Sequence, residues 1–184
     1  MSEKQIDANQ INADKFNVCP AWHCDDSRNA DKYIPDDSAD LVFSCPPYHN
    51  LEKYSNHPLD LSNMNYADFM EAYTDIIEKS CRKLKDNRFA VFVVGDVRDS
   101  KGAYRDFISD TKRIFRENGL HLYNEIILLE QYATAVMRAE NQFSRGRKTA
   151  KVHQNVLVFF KGDIKKIKEL YDNNFAWANI ENIK

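Results

Sequence analysis

The sequence predicts an α/β fold with a mostly parallel sheet, and three observations support this prediction. Residues 66–84 carry apolar side chains at the i, i+3, i+4, i+7 spacing of an amphipathic helix. The segment RFAVFVVGDV, residues 88–97, is a continuous apolar run typical of a parallel strand covered on both faces. A second helical pattern spans residues 104–115 and ends before Gly119. Strands that alternate with helices indicate a layered α/β domain.

The remaining elements complete one domain over residues 1–184. An N-terminal helix is predicted within residues 1–15, and residues 39–43 form a hydrophobic, buried strand. The segments LHLYNEIILLE and HQNVLVFFKG are predicted as two strands, and no helix is predicted between them. These two strands should form an antiparallel pair at one edge of the sheet. Residues 130–152 are interpreted as a long basic loop, and residues 163–184 as a C-terminal helix and tail.

Composition limits the function classes. The chain has 184 residues, 43% hydrophobic and 29% charged, with a formal net charge of −2. These values are ordinary for a globular protein, and no overall basic field indicates nucleic acid. Any contact with DNA must therefore come from a local patch. One candidate patch is Arg138, Arg145, Arg147, Lys148 and Lys151. A solvated, flexible loop is the alternative interpretation of this charge run.

The cysteines and the hydropathy exclude other classes. The cysteines have no CxxC spacing, so no zinc site is predicted and no metal is expected; they are Cys19, Cys24, Cys45 and Cys81. We interpret them as reduced thiols of a cytoplasmic protein. No apolar run is long enough for a membrane span, so no membrane contact is expected.

A stiff turn follows the strand at residues 39–43, with the sequence Ser44-Cys45-Pro46-Pro47-Tyr48. Proline fixes φ and pushes the preceding residue to extended geometry. Ligands of open α/β sheets bind at the carboxyl ends of strands, where this turn lies. Carbonyl acceptors beside an aromatic ring suit a planar base with an exocyclic amine. A rigid loop without function is the alternative for an isolated Pro-Pro-Tyr sequence.

Residues 39–48 resemble the catalytic motif [DNS]-P-P-[YFW] of S-adenosylmethionine-dependent DNA amino-methyltransferases, which modify N6 of adenine or N4 of cytosine. Three further segments are similar to this family and to its phage-type members: WHCDDSRN, RFAVFVVGDVRD and KVHQNVLVFFKGD. The resemblance implies a Rossmann-like class I methyltransferase fold, S-adenosylmethionine as cofactor, DNA as substrate and a role in DNA modification or restriction-modification.

The resemblance also implies residue roles. The carbonyl oxygen of Pro46 would accept a hydrogen bond from the target amine, and Tyr48 would stack on the flipped base. Cys45 stands where the family has Asp, Asn or Ser, and a thiol is a weak acceptor, so Ser44 or the backbone carbonyls would contribute more. A small buried residue at a strand end is the alternative for Cys45.

The acidic pair Asp25 and Asp26 resembles the family's turn near the cofactor's adenine. Asp26 would accept a hydrogen bond from the adenine, with Asp25 as the near alternative. A capping turn before a helix is the other interpretation.

The glycine-rich turn that binds the cofactor in this family has no counterpart among the chain's five glycines, since none forms a G-x-G pattern. The resemblance therefore suggests the C-terminal portion of a methyltransferase, with a second chain or self-association supplying the remaining strands. A catalytically inactive remnant or subunit that binds nucleic acid or a partner chain is the alternative. A third hypothesis is a methyltransferase-like enzyme that acts on another planar amine, such as one of RNA or a protein glutamine.

Overall fold

The computed structural model describes residues 3–16, 18–49, 53, 55–57, 60–129 and 133–171. The helices are α1 (Glu3–Lys15), α2 (Tyr66–Lys83), α3 (Phe107–Glu117), α4 (Ala133–Gly146) and α5 (Ile167–Leu170). The strands are β1 (Ala39–Ser44), β2 (Leu84–Val94), β3 (Leu120–Leu129) and β4 (His153–Lys161). Short 3-10 helices lie at Ser27–Lys32, Leu61–Asn63 and Ile164–Lys166.

The described strands form one four-stranded sheet in the order β1-β2-β4-β3. β1 pairs with β2 in parallel, and β4 pairs antiparallel with both β2 and β3. Three strands therefore run in one direction and β4 runs against them, which confirms the α/β class and the antiparallel pair. The strand that runs against the others is not at the edge, because β4 lies between β2 and β3.

Helices α2 and α3 cover one face of the sheet. Asn65 caps α2 by accepting a hydrogen bond from the Asp68 amide, as the sequence predicts. The core under these helices is aromatic: the rings of Phe115 and Phe159 stack with centroids 4.0 Å apart, and those of Tyr73 and Phe107 lie 4.9 Å apart. This packing fixes α2 and α3 against β2 and β4, and so orients the loops at the carboxyl ends of β1 and β2.

The prediction of a buried strand at residues 39–43 is wrong for this chain. β1 is an edge strand, and only Val42 packs on the core. Leu41 and Phe43 point to the opposite face, where 56% and 62% of their surfaces are exposed. In the described structure no helix covers that part of the sheet and no strand pairs with the outer edge of β1, so an apolar sequence alone did not bury these side chains.

The prediction of a long basic loop over residues 130–152 is also wrong in its central part. Helix α4 occupies residues 133–146, while the connection at 147–152 has no regular structure. Alanine, methionine, arginine and glutamine are good helix formers, and no glycine or proline interrupts them before Gly146. Composition was therefore the available signal for this helix.

The predictions at the two ends of the chain are confirmed where the structure describes them. Helix α1 lies within residues 1–15, and a 3-10 turn followed by α5 occupies residues 164–170. The predicted tail after Tyr171 lies outside the described residues. Among the helices that the structure describes, none is long and apolar enough to cross a membrane.

Candidate active site

Tyr48 lies over the carboxyl end of β2. Its hydroxyl is 2.7 Å from Oε1 of Gln154 and 3.2 Å from the carbonyl oxygen of Val93, to which it can donate. Its ring lies against Gly95, where an added Cβ would come within 3.2 Å of Cε2 of the tyrosine. The ring of Phe107 lies beside it, with centroids 6.3 Å apart. The half-buried ring is thus held at the sheet edge by both its hydroxyl and one side.

His49 anchors the next position of the turn. Its backbone has a left-handed φ of 55°, and its ring is buried against the edges of Tyr66 and Phe69 at 5.3 and 5.4 Å. Nε2 donates to the carbonyl oxygen of Met64, 2.9 Å away. The histidine therefore fixes the Pro-Pro-Tyr turn to the start of α2. Sequence analysis did not identify this role, because the contact joins residues far apart in the chain.

The remaining residues of the turn lie where the sequence places them, directly after β1. Ser44 is the last residue of β1 and pairs with Phe92, while Pro46 and Pro47 are half-buried. The thiol of Cys45 is exposed, so the alternative of a small buried residue is wrong. The turn therefore presents three groups in succession at a single sheet edge. They are an acceptor from Ser44 or from the backbone carbonyls, the exposed Cys45 and the Tyr48 ring.

The Asp25–Asp26 pair forms a compact capping turn. Asp26 caps the 3-10 helix by accepting from the Arg28 amide at 2.9 Å, and its Oδ2 pairs with the Arg28 guanidinium at 2.6 Å. Asp25 accepts from Tyr33 Oη and Asn29 Nδ2 at 2.7 and 2.8 Å. Hydrogen bonds from Tyr33 hold the pKa of Asp25 far below its ordinary range, and the Arg28 guanidinium lowers the pKa of Asp26. Both lowered pKa values favour the ionised carboxylates, which serve the capping turn that was the alternative interpretation.

The acidic turn packs along α2, because Lys79 of that helix donates to the Arg28 carbonyl oxygen at 2.7 Å. Arg82 pairs with Asp31 in the same interface at 3.1 Å. The turn therefore lies beside the C-terminal part of α2, whereas His49 lies over its beginning.

The basic residues are brought to the carboxyl edge of the sheet. Arg138 and Arg145 are seven positions apart on α4, hence on one face of the helix, and both are exposed. Arg147 follows the helix with its guanidinium 5.3 Å from the Phe143 ring. Lys148 lies against Gly102 of the loop after β2, and Lys151 lies in the segment that enters β4.

The same edge holds the Tyr48 turn, because β4 begins where β1 and β2 end. Asn155 pairs with Val94, and Gln154 contacts Tyr48. The structure thus brings the predicted DNA-contacting residues and the predicted base-stacking residue to one end of the molecule. No group of three or more potential metal ligands is present among the described side chains.

Comparison with solved structures places this fold in a known class. A Thermus thermophilus protein assigned as a DNA modification methylase, complexed with S-adenosyl-L-methionine, superposes with a TM-score of 0.57 at 20% identity over 77% of this chain and 53% of that one. The cytosine-N4-specific PvuII DNA methyltransferase superposes with a TM-score of 0.56 at 14% identity over 82% of this chain and 54% of its own. The fold is therefore that of class I S-adenosylmethionine-dependent methyltransferases.

A sequence relative narrows this class. The chain is 30% identical over 128 residues to the type II methyltransferase M.BglII of Bacillus subtilis. The aligned region covers 70% of this chain and 31% of the relative. No protein-family model matches the chain. The chain is similar in sequence to a type II methyltransferase and in fold to DNA modification methylases, which confirms the resemblance carried by its motifs. It spans about a third of that curated relative's length and about half of the solved structures'.

Proposed function

We propose that this chain carries the target-base half of a DNA amino-methyltransferase, which transfers a methyl group from S-adenosylmethionine to N6 of adenine or N4 of cytosine. The observation that carries the proposal is the anchored turn Ser44–Tyr48 at the carboxyl edge of β1. Tyr48 is held there by Gln154 and Gly95, and the relationship to M.BglII supports the same activity.

The chain's own residues would bind and orient the target base. The ring of Tyr48 provides a stacking surface worth about 1–3 kcal/mol per base. The Pro46 carbonyl and an acceptor from Ser44 would accept hydrogen bonds from the two N–H groups of the target amine. These hydrogen bonds would orient the nitrogen lone pair toward the methyl group. Cys45, exposed beside them, contributes a weak acceptor. These residues would accelerate methyl transfer by positioning the target amine, because well-oriented reacting groups have large effective molarities.

Asp25 and Asp26 are the residues that would hold one end of the cofactor. Asp25 and Asp26 are ionised acceptors at a half-exposed turn, which suits the adenine amine of S-adenosylmethionine. The cofactor when bound would supply an activated methyl group on a sulfonium. The ribose and methionine parts of the cofactor would be held by a glycine-rich turn. This chain has no G-x-G pattern, so another polypeptide segment would supply that turn.

That turn would come from a polypeptide segment that pairs with β1. Among the described strands, β1 is an edge with one unpaired side, and the apolar side chains of Leu41 and Phe43 are exposed beside it. Open, flat, hydrophobic edges are templates for strand addition. A further segment or a second chain could supply both the strand and the turn, whereas a second copy of this chain could pair with the edge only.

The alternative function is a catalytically inactive subunit that binds nucleic acid or a partner chain. The capping role of Asp25 and Asp26 favours it, because both carboxylates already have internal donors. It predicts DNA binding through the basic edge without methyl transfer.

The experiment is transfer of labelled methyl groups from S-adenosylmethionine to duplexes that differ only in whether unmodified adenine or cytosine is present. Under the proposal, wild type transfers label to one of the duplexes when a polypeptide that carries the glycine-rich turn is added, Tyr48→Ala abolishes this transfer, and the matched Tyr48→Phe variant retains most of it. Oligonucleotide binding by all three proteins with no transfer by wild type in the presence of that polypeptide would overturn the proposal and support the alternative.

A further inference from the structure

The loop after β2 forms a short β-hairpin at the same sheet edge as Tyr48. The Arg105 amide donates to the Val97 carbonyl oxygen at 2.9 Å, and the Asp99 amide donates to the Ala103 carbonyl oxygen at 2.8 Å. The backbones of Arg98 and Tyr104 form an antiparallel β-bridge between them. The Asp99 carboxylate closes the turn by accepting from the amides of Lys101 and Ala103 at 2.9 Å each. This loop is therefore a fixed structural arm.

The hairpin presents an aromatic ring backed by a cation. The Arg98 guanidinium lies 3.8 Å from the centroid of the Tyr104 ring and is itself fixed by donating to the Gly102 carbonyl oxygen at 2.8 Å. Tyr104 remains 46% exposed. A rigid, exposed ring with an arginine on one face is the arrangement that proteins use to stack a nucleic-acid base.

Across from the hairpin, the segment that enters β4 forms the second wall of an open cleft of about 340 Å³. The lining residues are Asp96, Tyr104, Thr149, Ala150, Lys151, Val152 and His153. Lys151 and His153 supply donors on this wall. The acidic residue of the lining, Asp96, has Oδ1 committed to the amides of Val97 and Phe107 at 3.0 and 3.1 Å.

The cleft adjoins the Tyr48 site on both walls. On one wall, Asp96 directly follows Gly95, which contacts the Tyr48 ring. On the other wall, His153 directly precedes Gln154, which accepts from the Tyr48 hydroxyl. A nucleotide strand whose base lies at Tyr48 would thus place a neighbouring nucleotide in this cleft.

We propose that the cleft between Tyr104 and Lys151 binds the nucleotide that flanks the target base, with Tyr104 stacking on its base and Lys151 contacting its phosphate. This inference rests on the proposed function and assigns part of the preference for flanking sequence to the hairpin Val97–Arg105. Because stacking tolerates every base, the subsite would select by stacking strength, and purines would bind more tightly than pyrimidines.

The test is fluorescence anisotropy of labelled single-stranded oligonucleotides titrated with the full chain, without cofactor, at several salt concentrations. Tyr104→Leu should weaken binding about five-fold or more, and the matched Tyr104→Phe variant should bind like wild type. Lys151→Ala should reduce the slope of log affinity against log salt by about 0.7. Lys166→Ala, an exposed lysine beyond the opposite end of β4, should leave the slope unchanged.

Equal binding by Tyr104→Leu and wild type, or equal slopes for Lys151→Ala and Lys166→Ala, would overturn the inference. So would a wild-type chain that binds no oligonucleotide. Because the assay needs no methyl transfer, its result is separate from the outcome for Tyr48. Binding that depends on Tyr104 without transfer by wild type would retain the subsite and overturn the proposed activity alone.

Discussion

At the scale of single residues, the position of Tyr48 depends on the absence of a side chain at residue 95. A Cβ on Gly95 would lie 3.2 Å from Cε2, 3.6 Å from Cδ2 and 3.7 Å from Cζ of the ring. The ring is half-buried and can yield by a few tenths of an ångström. The glycine therefore sets where the ring lies and costs the fold little.

We expect Gly95→Ala to displace Tyr48 and to lower kcat for methyl transfer about ten-fold, since small misplacements near reacting groups have large effects on rate. The free energy of unfolding should change by less than about 1 kcal/mol. Steady-state transfer and urea denaturation measure the two quantities.

Gly119→Ala is the matched control for this prediction. Gly119 has a φ of +81° and no atom within 4 Å of the added Cβ, so alanine there strains the backbone far from the site. It should destabilise the fold by about 1 kcal/mol and leave kcat unchanged. A Gly95→Ala enzyme with wild-type kcat would contradict the proposed positioning of Tyr48.

At the scale of elements, α3 is tied to β3 and β4 by a polar network on the covered face of the sheet. Lys112 of α3 lies 2.8 Å from Oε2 of Glu125 on β3, and Asn155 of β4 donates to Oε1 at 2.8 Å. The bulge in β3 between Leu122 and Asn124 places Glu125 opposite Leu157, on the side that faces the helices. The Lys112 ammonium and, to a smaller extent, Asn155 lower the pKa of Glu125.

Glu125→Gln should lower the free energy of unfolding by about 0.5–1 kcal/mol at pH 7, a value reduced because Glu125 is 35% exposed. The folded pKa is lowered, so the contribution of the carboxylate is present above its ordinary pKa of 4.5 and is lost as the pH falls through the folded value. Thermal unfolding at pH 7 and at pH 3 checks this.

The difference between Glu125→Gln and wild type should be smaller at pH 3 than at pH 7. Glu117→Gln, an exposed helix-surface partner of Arg113, is the control and should change the melting temperature less at pH 7. A difference that grows as the pH falls would contradict the assignment of the network.

At the scale of the whole molecule, the described sheet ends at β1 and β3, and its face opposite α2 and α3 is also apolar. Phe160, which is fully buried, and the half-buried Phe89 share that face with Tyr123 and Tyr171; the Phe89 and Phe160 centroids are 4.9 Å apart. Nearer the edge, the exposed Leu41 and Phe43 continue the same apolar surface. An apolar face of this kind is typical of a sheet that associates with further polypeptide.

The double variant Leu41→Lys, Phe43→Lys should therefore reduce self-association of the purified chain, which sedimentation velocity at several protein concentrations would detect. Charged side chains at a sheet edge oppose strand addition. Met137→Lys is the control, because Met137 is an exposed apolar residue that lies on α4 and not on β1. Concentration-dependent sedimentation that is the same in all three proteins would place the contact elsewhere than β1.

Local patterns in the sequence determined the elements of this protein and one end of its site. The 3.6-residue period of α2, the cap at Asn65 and the apolar run of β2 depend on neighbouring residues, so they were predictable. The stiff turn at residues 44–48 was predictable for the same reason. The helix-forming composition of α4 was also present in the sequence, but its charge pattern favoured a loop.

Only the tertiary structure decided what the elements do together. The contacts of Tyr48 with Gly95 and Gln154, of His49 with Met64, and of the hairpin with the wall at Lys151 join distant parts of the chain. The exposure of Leu41 and Phe43 likewise depends on which strands are present, because an apolar side chain is buried only when another element covers it. A sequence specifies the chemistry of each group, whereas strand order and packing decide which groups meet.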